Sequence, residues 1–252
     1  MTITISNSEN KKMLIPIKRT IQQYQMIEDG DKIAVGISGG KDSSALLYLL
    51  TAFQRKSPIQ FTIVPISLSL GFEGMDVSPL EAFVEQLGYK LHLQPTNIGE
   101  VVFDIRKEKN PCSLCANMRR GTLYDVAKSY GCNKVALGHH LDDAIETFFM
   151  NLFFGGKMGS FQPKLYLDRT DITLIRPLIT IEEQDIIQFV AAKEIPIIEN
   201  PCPANKKTKR EEMKQLILQL NKQYPDLKHK FLTAMKNASL NDFWNADLYT
   251  QK

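Results

Sequence analysis

Three groups of residues in this chain have the types and spacing to do chemistry. The first is Ser38-Gly39-Gly40-Lys41-Asp42-Ser43, entered through Gly36. Two glycines let the backbone turn its N–H groups toward an anion without interference from Cβ. Lys41 adds a full positive charge, and Asp42 reads as a positioning or metal-bridging group. Ser43 and Ser44 are placed to cap a helix whose dipole favours negative charge at that end. The chemistry is phosphate binding. A Walker loop is excluded because Asp42 follows the lysine and the first glycine is misplaced. The dinucleotide fingerprint Gly-x-Gly-x-x-Gly is absent as well.

The second group is Gly138-His139-His140-Leu141-Asp142-Asp143. Asp143 or Asp142 is suited to hold Mg²⁺ between phosphate oxygens, since that ion takes one or two carboxylates plus substrate phosphates. His139 is suited to stack on a nucleotide or hydrogen-bond to it. The alternative is that the two aspartates only favour a helix N-terminus. The third group is Cys112, Cys115 and Cys202, with Cys132 as the fourth cysteine of the chain. Cys112-x-x-Cys115 is compatible with a redox pair, half a zinc site or part of an iron–sulfur site. Cys132 sits just ahead of a strand, at the end opposite the phosphate loop, and reads as a core or surface residue. That leaves three thiolates. On a cubane cluster, three protein ligands leave one iron open to bind sulfide. Zinc, a redox pair and inert cysteines stay open beside that reading, while a disulfide fits poorly with a cytosolic chain.

The elements that must position these groups alternate between strand and helix. An opening helix spans Lys11 to Ile27. The apolar run Lys32 to Ile37 is a strand, and Ser43 to Arg55 is helical. Gln60 to Leu70 is a second strand, and Ser78-Pro79 opens a helix to Leu87. A short third strand lies at Leu91 to Leu93. Cys115 to Tyr130 is helical, Asn133 to Leu137 is a fourth strand, and Asp142 to Phe154 is an apolar-faced helix. A fifth strand, Ile172 to Ile175, precedes Arg176-Pro177. Thr180 and Glu183 have the spacing of a capping box for a helix ending near Lys193. The tail reads as two helices, Lys209 to Gln223 and Leu227 to Asn237. This alternation predicts an α/β fold with a doubly wound, parallel, five-stranded sheet. Ligands then bind beyond the strands' carboxyl ends, where both glycine-bearing loops lie.

At 252 residues the length prior gives about 1.7 domains. The expected organisation is an N-terminal helical extension (1–30), a phosphate-loop domain carrying the Cys-x-x-Cys (31–200) and a C-terminal helical extension with the third cysteine (201–252). A hydrophobic fraction of 43% with 23% charged residues suits a soluble protein with a full core. No apolar run approaches the roughly 18 residues of a membrane span. The polar N-terminus lacks a signal-peptide core, so the cytoplasm is the expected compartment and no membrane partner is expected. A formal charge of +3 is too mild to demonstrate nucleic-acid binding by itself. Its densest basic run is Lys206-Lys207-x-Lys209-Arg210, and a short run of this kind is commonly just a solvated face.

The hexapeptide at Ser38 resembles the PP-loop of ATP pyrophosphatases, which split ATP between its α- and β-phosphates. From about Lys11 to Tyr249 the chain resembles the iron–sulfur-dependent tRNA 2-thiocytidine synthetases, the tRNA cytidine-32 2-sulfurtransferase family of the PP-loop superfamily. The strings that carry the resemblance are Met26-Ile27-Glu28-Asp29-Gly30-Asp31, Cys112-Ser113-Leu114-Cys115 with Met118-Arg119-Arg120-Gly121, and Gly138-His139-His140-Leu141-Asp142-Asp143. Phe154-Gly155-Gly156-Lys157-Met158 and Ile175-Arg176-Pro177-Leu178 complete them. Better-known members carry a second Cys-x-x-Cys near the third ligand, whereas Cys202-Pro203-Ala204-Asn205 has only its first cysteine.

The resemblance implies ATP held by Gly36, Ser38, Gly39, Gly40, Lys41, Asp42, Ser43, Gly138, His139 and Asp143. Lys41, Asp42 and Asp143 are the implied catalytic groups, acting with Mg²⁺. A 4Fe–4S cluster is implied on Cys112, Cys115 and Cys202. The implied partners are tRNA, met by Arg119, Arg120, Lys206, Lys207, Lys209 and Arg210, and a sulfur donor, either a cysteine desulfurase persulfide or inorganic sulfide. The implied reaction adenylates a base carbonyl oxygen and then inserts sulfur. A different tRNA position, a small thiolated substrate and a PP-loop ligase or amidotransferase that delivers nitrogen are the alternatives. Pairing as a homodimer is left open.

Overall fold

The computed structural model describes residues 3–72, 76–107, 111–198, 202 and 209–239. The chain forms two compact units. One comprises Met1–Ala144 with Phe161–Thr208, the other Ile145–Ser160 with Lys209–Lys252.

The first unit is built on strands β1 (Lys32–Gly36), β2 (Thr62–Ser69), β3 (His92–Pro95), β4 (Lys134–Ala136), β5 (Lys164–Leu167) and β6 (Ile172–Ile175). They form one six-stranded sheet in the order β3-β2-β1-β4-β6-β5. All neighbours pair parallel except β5 with β6. The doubly wound parallel sheet agrees with the reading of the sequence, but its strand count is corrected from five to six. The added strand is the antiparallel edge β5, which pairs Leu165 with Leu174 and turns back through Asp171 at φ +50°. Strand–helix alternation does not signal such a hairpin.

Helices α1 (Ile15–Gln23), α2 (Lys41–Gln54), α3 (Ser78–Gln86), α4 (Pro111–Ser129) and α6 (Glu183–Ala192) belong to this unit. Helix α5 (Leu141–Gly155) starts in it. Strand residues alternate between two cores, as a pleated period of two requires. Ile33 and Val35 join α1, α2, α3 and α6 on one side, while Ala34 and Val64 join Leu123, Tyr124 and Ala127 of α4 on the other. Before α1 the chain forms a short turn, Asn7–Glu9, and a π-helical stretch, Asn10–Leu14, so the opening helix is broken in two. Met13, Leu14, Ile17 and Ile21 from this region are fully buried in the larger core.

The second unit is helical: the distal part of α5 with α7 (Lys209–Gln223) and α8 (Leu227–Asn237). The bounds of α7 and α8 match the sequence reading. Rings of Phe148 and Phe231 pack edge to face at 5.2 Å between centroids, and Phe149 meets Phe153 at 5.7 Å. Among the described residues no helix is long and apolar enough to cross a membrane.

Candidate functional site

Strand order reverses between β1 and β4, which lie side by side with Val35 opposite Ala136. This is the switch point where open α/β sheets bind ligands. Both glycine-bearing loops leave the sheet here. Gly39 stands at φ +79°, a conformation that side chains rarely adopt. Gly138 allows the loops to touch: a Cβ there would lie 2.9 Å from the carbonyl carbon of Asp42 and 2.9 Å from the Ser43 amide nitrogen. The second loop therefore rests directly on the start of α2.

Helix α2 begins at Lys41 with Gly40 as its N-cap, so the expected serine caps are corrected. Ser43 Oγ instead accepts from the Ser38 N–H at 3.1 Å and donates to the Gly40 carbonyl at 3.0 Å, closing the loop on itself. The buried Ser44 hydroxyl makes no hydrogen bond. Lys41 Nζ lies 2.9 Å from Asp42 Oδ2 and 2.9 Å from Glu183 Oε1. Burial lowers the Lys41 pKa, but Asp42 and Glu183 outweigh it and hold it above the usual lysine value. The phosphate loop therefore keeps Lys41 protonated between two carboxylates.

Glu183 was missed by the sequence reading, which used it in a capping box with Thr180. That box is corrected. Thr180 Oγ1 bonds Thr20 Oγ1 at 2.8 Å, α6 starts at Glu183, and the Glu183 N–H is met by Asp142 Oδ2 at 2.7 Å. Asp142 thus caps α6. Asp143 faces the loop partner instead: its Oδ2 lies 3.5 Å from His140 Nε2, which lies 3.6 Å from Asp42 Oδ1. That Asp42 oxygen is buried and has no hydrogen-bond partner among the described residues. An orphaned carboxylate oxygen, with Asp143 on the other side of one imidazole, fits a hard cation that takes carboxylates and phosphate oxygens.

His139 ends β4's loop beside Arg176, which follows β6. Arg176 Nε donates to His139 Nδ1 at 3.2 Å, and its Nη1 donates to the Gln162 carbonyl at 2.6 Å. Phe161 lies against both, 4.8 Å from the His139 ring and 4.9 Å from the guanidinium carbon. Arg176 is buried, and burial with nearby Arg120 pushes its pKa down, while Tyr124 works against the shift. No role was assigned to Arg176 from sequence. A basic residue directly after a strand, at the ligand edge, was the available signal.

Cys112 and Cys115 lie on the first turns of α4, three residues apart and so on neighbouring positions of one face. Cys112 is exposed; Cys115 and Cys202 are half-buried. Burial pushes the Cys115 thiol up, Arg119 opposes this, and the Cys202 and Cys112 thiols add to it. All three cysteines therefore share one electrostatic neighbourhood. Among the described residues no three His, Cys, Asp or Glu side chains converge closely enough for a single metal ion. The segment leading to Cys202 is fastened to the phosphate loop, because the Ile198 N–H donates to the Gly39 carbonyl at 2.9 Å. Cys132 is buried in the smaller core, well within the protein fabric.

The basic residues divide. Arg119 follows Cys115 by one turn of α4 and favours its thiolate, and exposed Arg120 bonds the Ala116 carbonyl at 3.2 Å and the Asn117 side chain. Lys206 and Lys207 lie outside the described residues. Lys209 pairs with Glu212 at 2.9 Å. Arg210 reaches the buried Glu146 carboxylate at 3.1 Å and Thr147 Oγ1 at 3.2 Å.

Comparison with known proteins agrees with this architecture. A family described as the PP-loop domain matches residues 13–221. The tRNA-cytidine(32) 2-sulfurtransferase of Geobacter sulfurreducens is 36% identical over 236 residues, covering 92% of each chain. That of Shewanella baltica is 41% identical over 235 residues, covering 92% of this chain and 76% of its own. Among solved structures, the U34-tRNA thiolase NcsA from Methanococcus maripaludis with its 4Fe–4S cluster superposes with a TM-score of 0.70. It is 24% identical and the match covers 89% of this chain and 79% of that one, a likeness of fold. A switch point built from two touching loops, with full-length similarity of this degree, places the chain plainly in the PP-loop family, among the tRNA-cytidine(32) 2-sulfurtransferases.

Proposed function

We propose that the chain is an ATP-dependent tRNA sulfurtransferase that converts cytidine 32 to 2-thiocytidine. One observation carries the reading: the phosphate loop touches both the loop that carries Asp143 and Ile198, four residues before Cys202, at one sheet edge. The three cysteines suit a 4Fe–4S cluster, whose cube spreads its ligands over separate corners instead of converging them on one ion. Cys112, Cys115 and Cys202 would hold such a cluster, which would supply the sulfur chemistry.

The chain's own groups account for the activation step. Backbone N–H groups of Ser38 to Ser43 and the Lys41 ammonium cradle the phosphates of ATP. Asp42 and Asp143 would hold Mg²⁺, which would offset the phosphate charge. The base O2 attacks the α-phosphorus, a P–O bond forms, the bond to the β-phosphate bridge breaks, and pyrophosphate leaves with its charge stabilised by Lys41. Sulfide-level sulfur then attacks C2, the C2–O2 bond breaks and AMP departs carrying O2. Inorganic sulfide therefore balances the step directly, whereas a persulfide donor would first need two electrons from a reductant. Arg119, one turn of α4 after Cys115, offsets charge on the adenylate.

The test is mass spectrometry of tRNA nucleosides from cells with and without the gene, paired with iron content of anaerobically purified protein. The reading expects loss of 2-thiocytidine without the gene and about four irons per chain. Cys132→Ser keeps the iron, and Cys202→Ser loses it. Unchanged thionucleosides, or stoichiometric zinc without iron, overturn it.

A further inference from the structure

The helical unit carries an exposed aromatic and basic surface that the activation chemistry does not use. Phe153 and Phe154, at the end of α5, are 54% and 55% exposed, and Met158 just beyond is 62% exposed. Large apolar side chains clustered in the open mark a contact surface. They are held firmly. Phe153 stacks on Phe149 at 5.7 Å. The turn after α5 passes through Gly156 at φ +58° and folds back, with the Lys157 N–H on the Asn151 carbonyl at 3.0 Å and Asn151 Nδ2 on the Gly159 carbonyl at 2.9 Å.

Charge says what the surface fits. By sequence this unit holds nine Lys and Arg against six Asp and Glu, a net +3 that equals the charge of the whole chain. The excess positive charge of the protein is thus gathered here. Lys157 is part of the same turn, and Lys209 Nζ lies 5.5 Å from the Phe154 ring centroid. Exposed rings, one with the Lys209 ammonium over it (itself 2.9 Å from Glu212), and a lysine in the adjoining turn suit unpaired bases and their phosphates, because every base has a π-face to stack and each phosphate takes a cation. A second copy of this chain is a poorer match, since a two-fold contact would set the same lysines against each other.

We infer that Phe153 and Phe154, with Lys157 and Lys209, form a docking surface for the unpaired loop nucleotides of the tRNA, stacking bases on the rings and pairing phosphates with the lysines. This inference rests on the proposed tRNA substrate. It assigns the grip on RNA to the helical unit and leaves ATP to the sheet edge.

The experiment is affinity of the full-length protein for unmodified tRNA against salt, for wild type, Phe153→Ala/Phe154→Ala, Phe153→Leu/Phe154→Leu, Phe153→Tyr/Phe154→Tyr and Lys157→Ala/Lys209→Ala, with ATP affinity and sedimentation alongside. The alanine pair should lose about 5- to 150-fold for each stacked base. Leucine should not restore it, and tyrosine should. The lysine pair should flatten the salt slope by about 0.7 per phosphate lost. ATP affinity should hold throughout. Equal tRNA binding by wild type and the alanine pair, or full rescue by leucine, overturns the inference while leaving the thiolation reading standing. A dimer that the alanine pair dissociates, with tRNA affinity unchanged, assigns the surface to self-association and overturns it too. A wild type that binds no tRNA overturns the substrate reading and this inference together.

Discussion

Replacing Gly138 with alanine tests whether contact between the two loops sets the geometry of ATP activation. The new Cβ would sit 2.9 Å from Asp42 C and Ser43 N and 3.0 Å from Asp42 O, where ordinary contact begins at 3.4 Å. All three are backbone atoms, so no flexible side chain can yield. The loops must part by about 0.5 Å, and overpacking of this kind costs about 1–3 kcal/mol. That corresponds to a fall in melting temperature of about 2–4 °C per kcal/mol for a chain of this size. A displacement near 1 Å costs about a hundredfold in rate, so half of that should slow pyrophosphate release about tenfold. The assays are thermal unfolding, ATP affinity and tRNA-dependent pyrophosphate release. Gly121→Ala is the control: a Cβ there meets nothing within 4 Å, inside α4, and should stabilise by about 0.5–1 kcal/mol. A Gly138→Ala protein with wild-type melting and wild-type pyrophosphate release would refute the reasoning.

Arg176→Lys should lose at least one of the bonds to His139 and Gln162, because an ammonium lacks the guanidinium fork, and destabilise by about 1.5–3 kcal/mol in chemical denaturation; equal midpoints would exclude this role. Arg210→Ala should leave the Glu146 carboxylate buried without its arginine and cost about 1–3 kcal/mol, with Glu146→Gln recovering part of the loss, so additive losses in the double variant would count against the pair. Burial raises the Glu9 pKa, but Lys193 and the Ser6 bonds outweigh it and hold the carboxyl below its usual 4.5. A lowered folded pKa means the stabilisation is present above pH 4.5 and lost as pH falls through the lower folded value. Glu9→Gln should therefore flatten the acid limb of melting temperature against pH, and an unchanged limb would show that other groups set it.

What could be read from sequence was local. Ser38 to Ser43 and Gly138 to Asp143 each run from strand to glycine turn to helix, so spacing alone placed both at the sheet's carboxyl edge. The limits of α7 and α8 were equally plain, because Lys209 and Asn237 border uninterrupted helical patterns. What escaped was tertiary. Thr180 and Glu183 have capping-box spacing, yet the Glu183 carboxylate goes to Lys41, an ammonium 142 positions earlier in the chain, and a full charge outcompetes a local cap. Asp142 and Asp143 are indistinguishable in sequence, and only the approach of α6 assigns one to a helix end and the other to His140. Strand β5 escaped because its hairpin partner, β6, made complete sense as a parallel strand without it.

The single bond from the Ile198 amide to the Gly39 carbonyl has a consequence for how this protein can vary. A Cβ on Gly39 would also fall 3.0 Å from Ile198 Cβ, so a side chain there would press on the chain four residues before Cys202 as well as on the phosphate turn. Because the bond is backbone to backbone, it excludes only proline at position 198, whereas the close approach of Ile198 and the positive φ together restrict position 39 to glycine. For the same reason a substitution at Gly39 reports on both chemistries at once, and separating them calls for changes at Lys41 on one side and at Cys202 itself on the other.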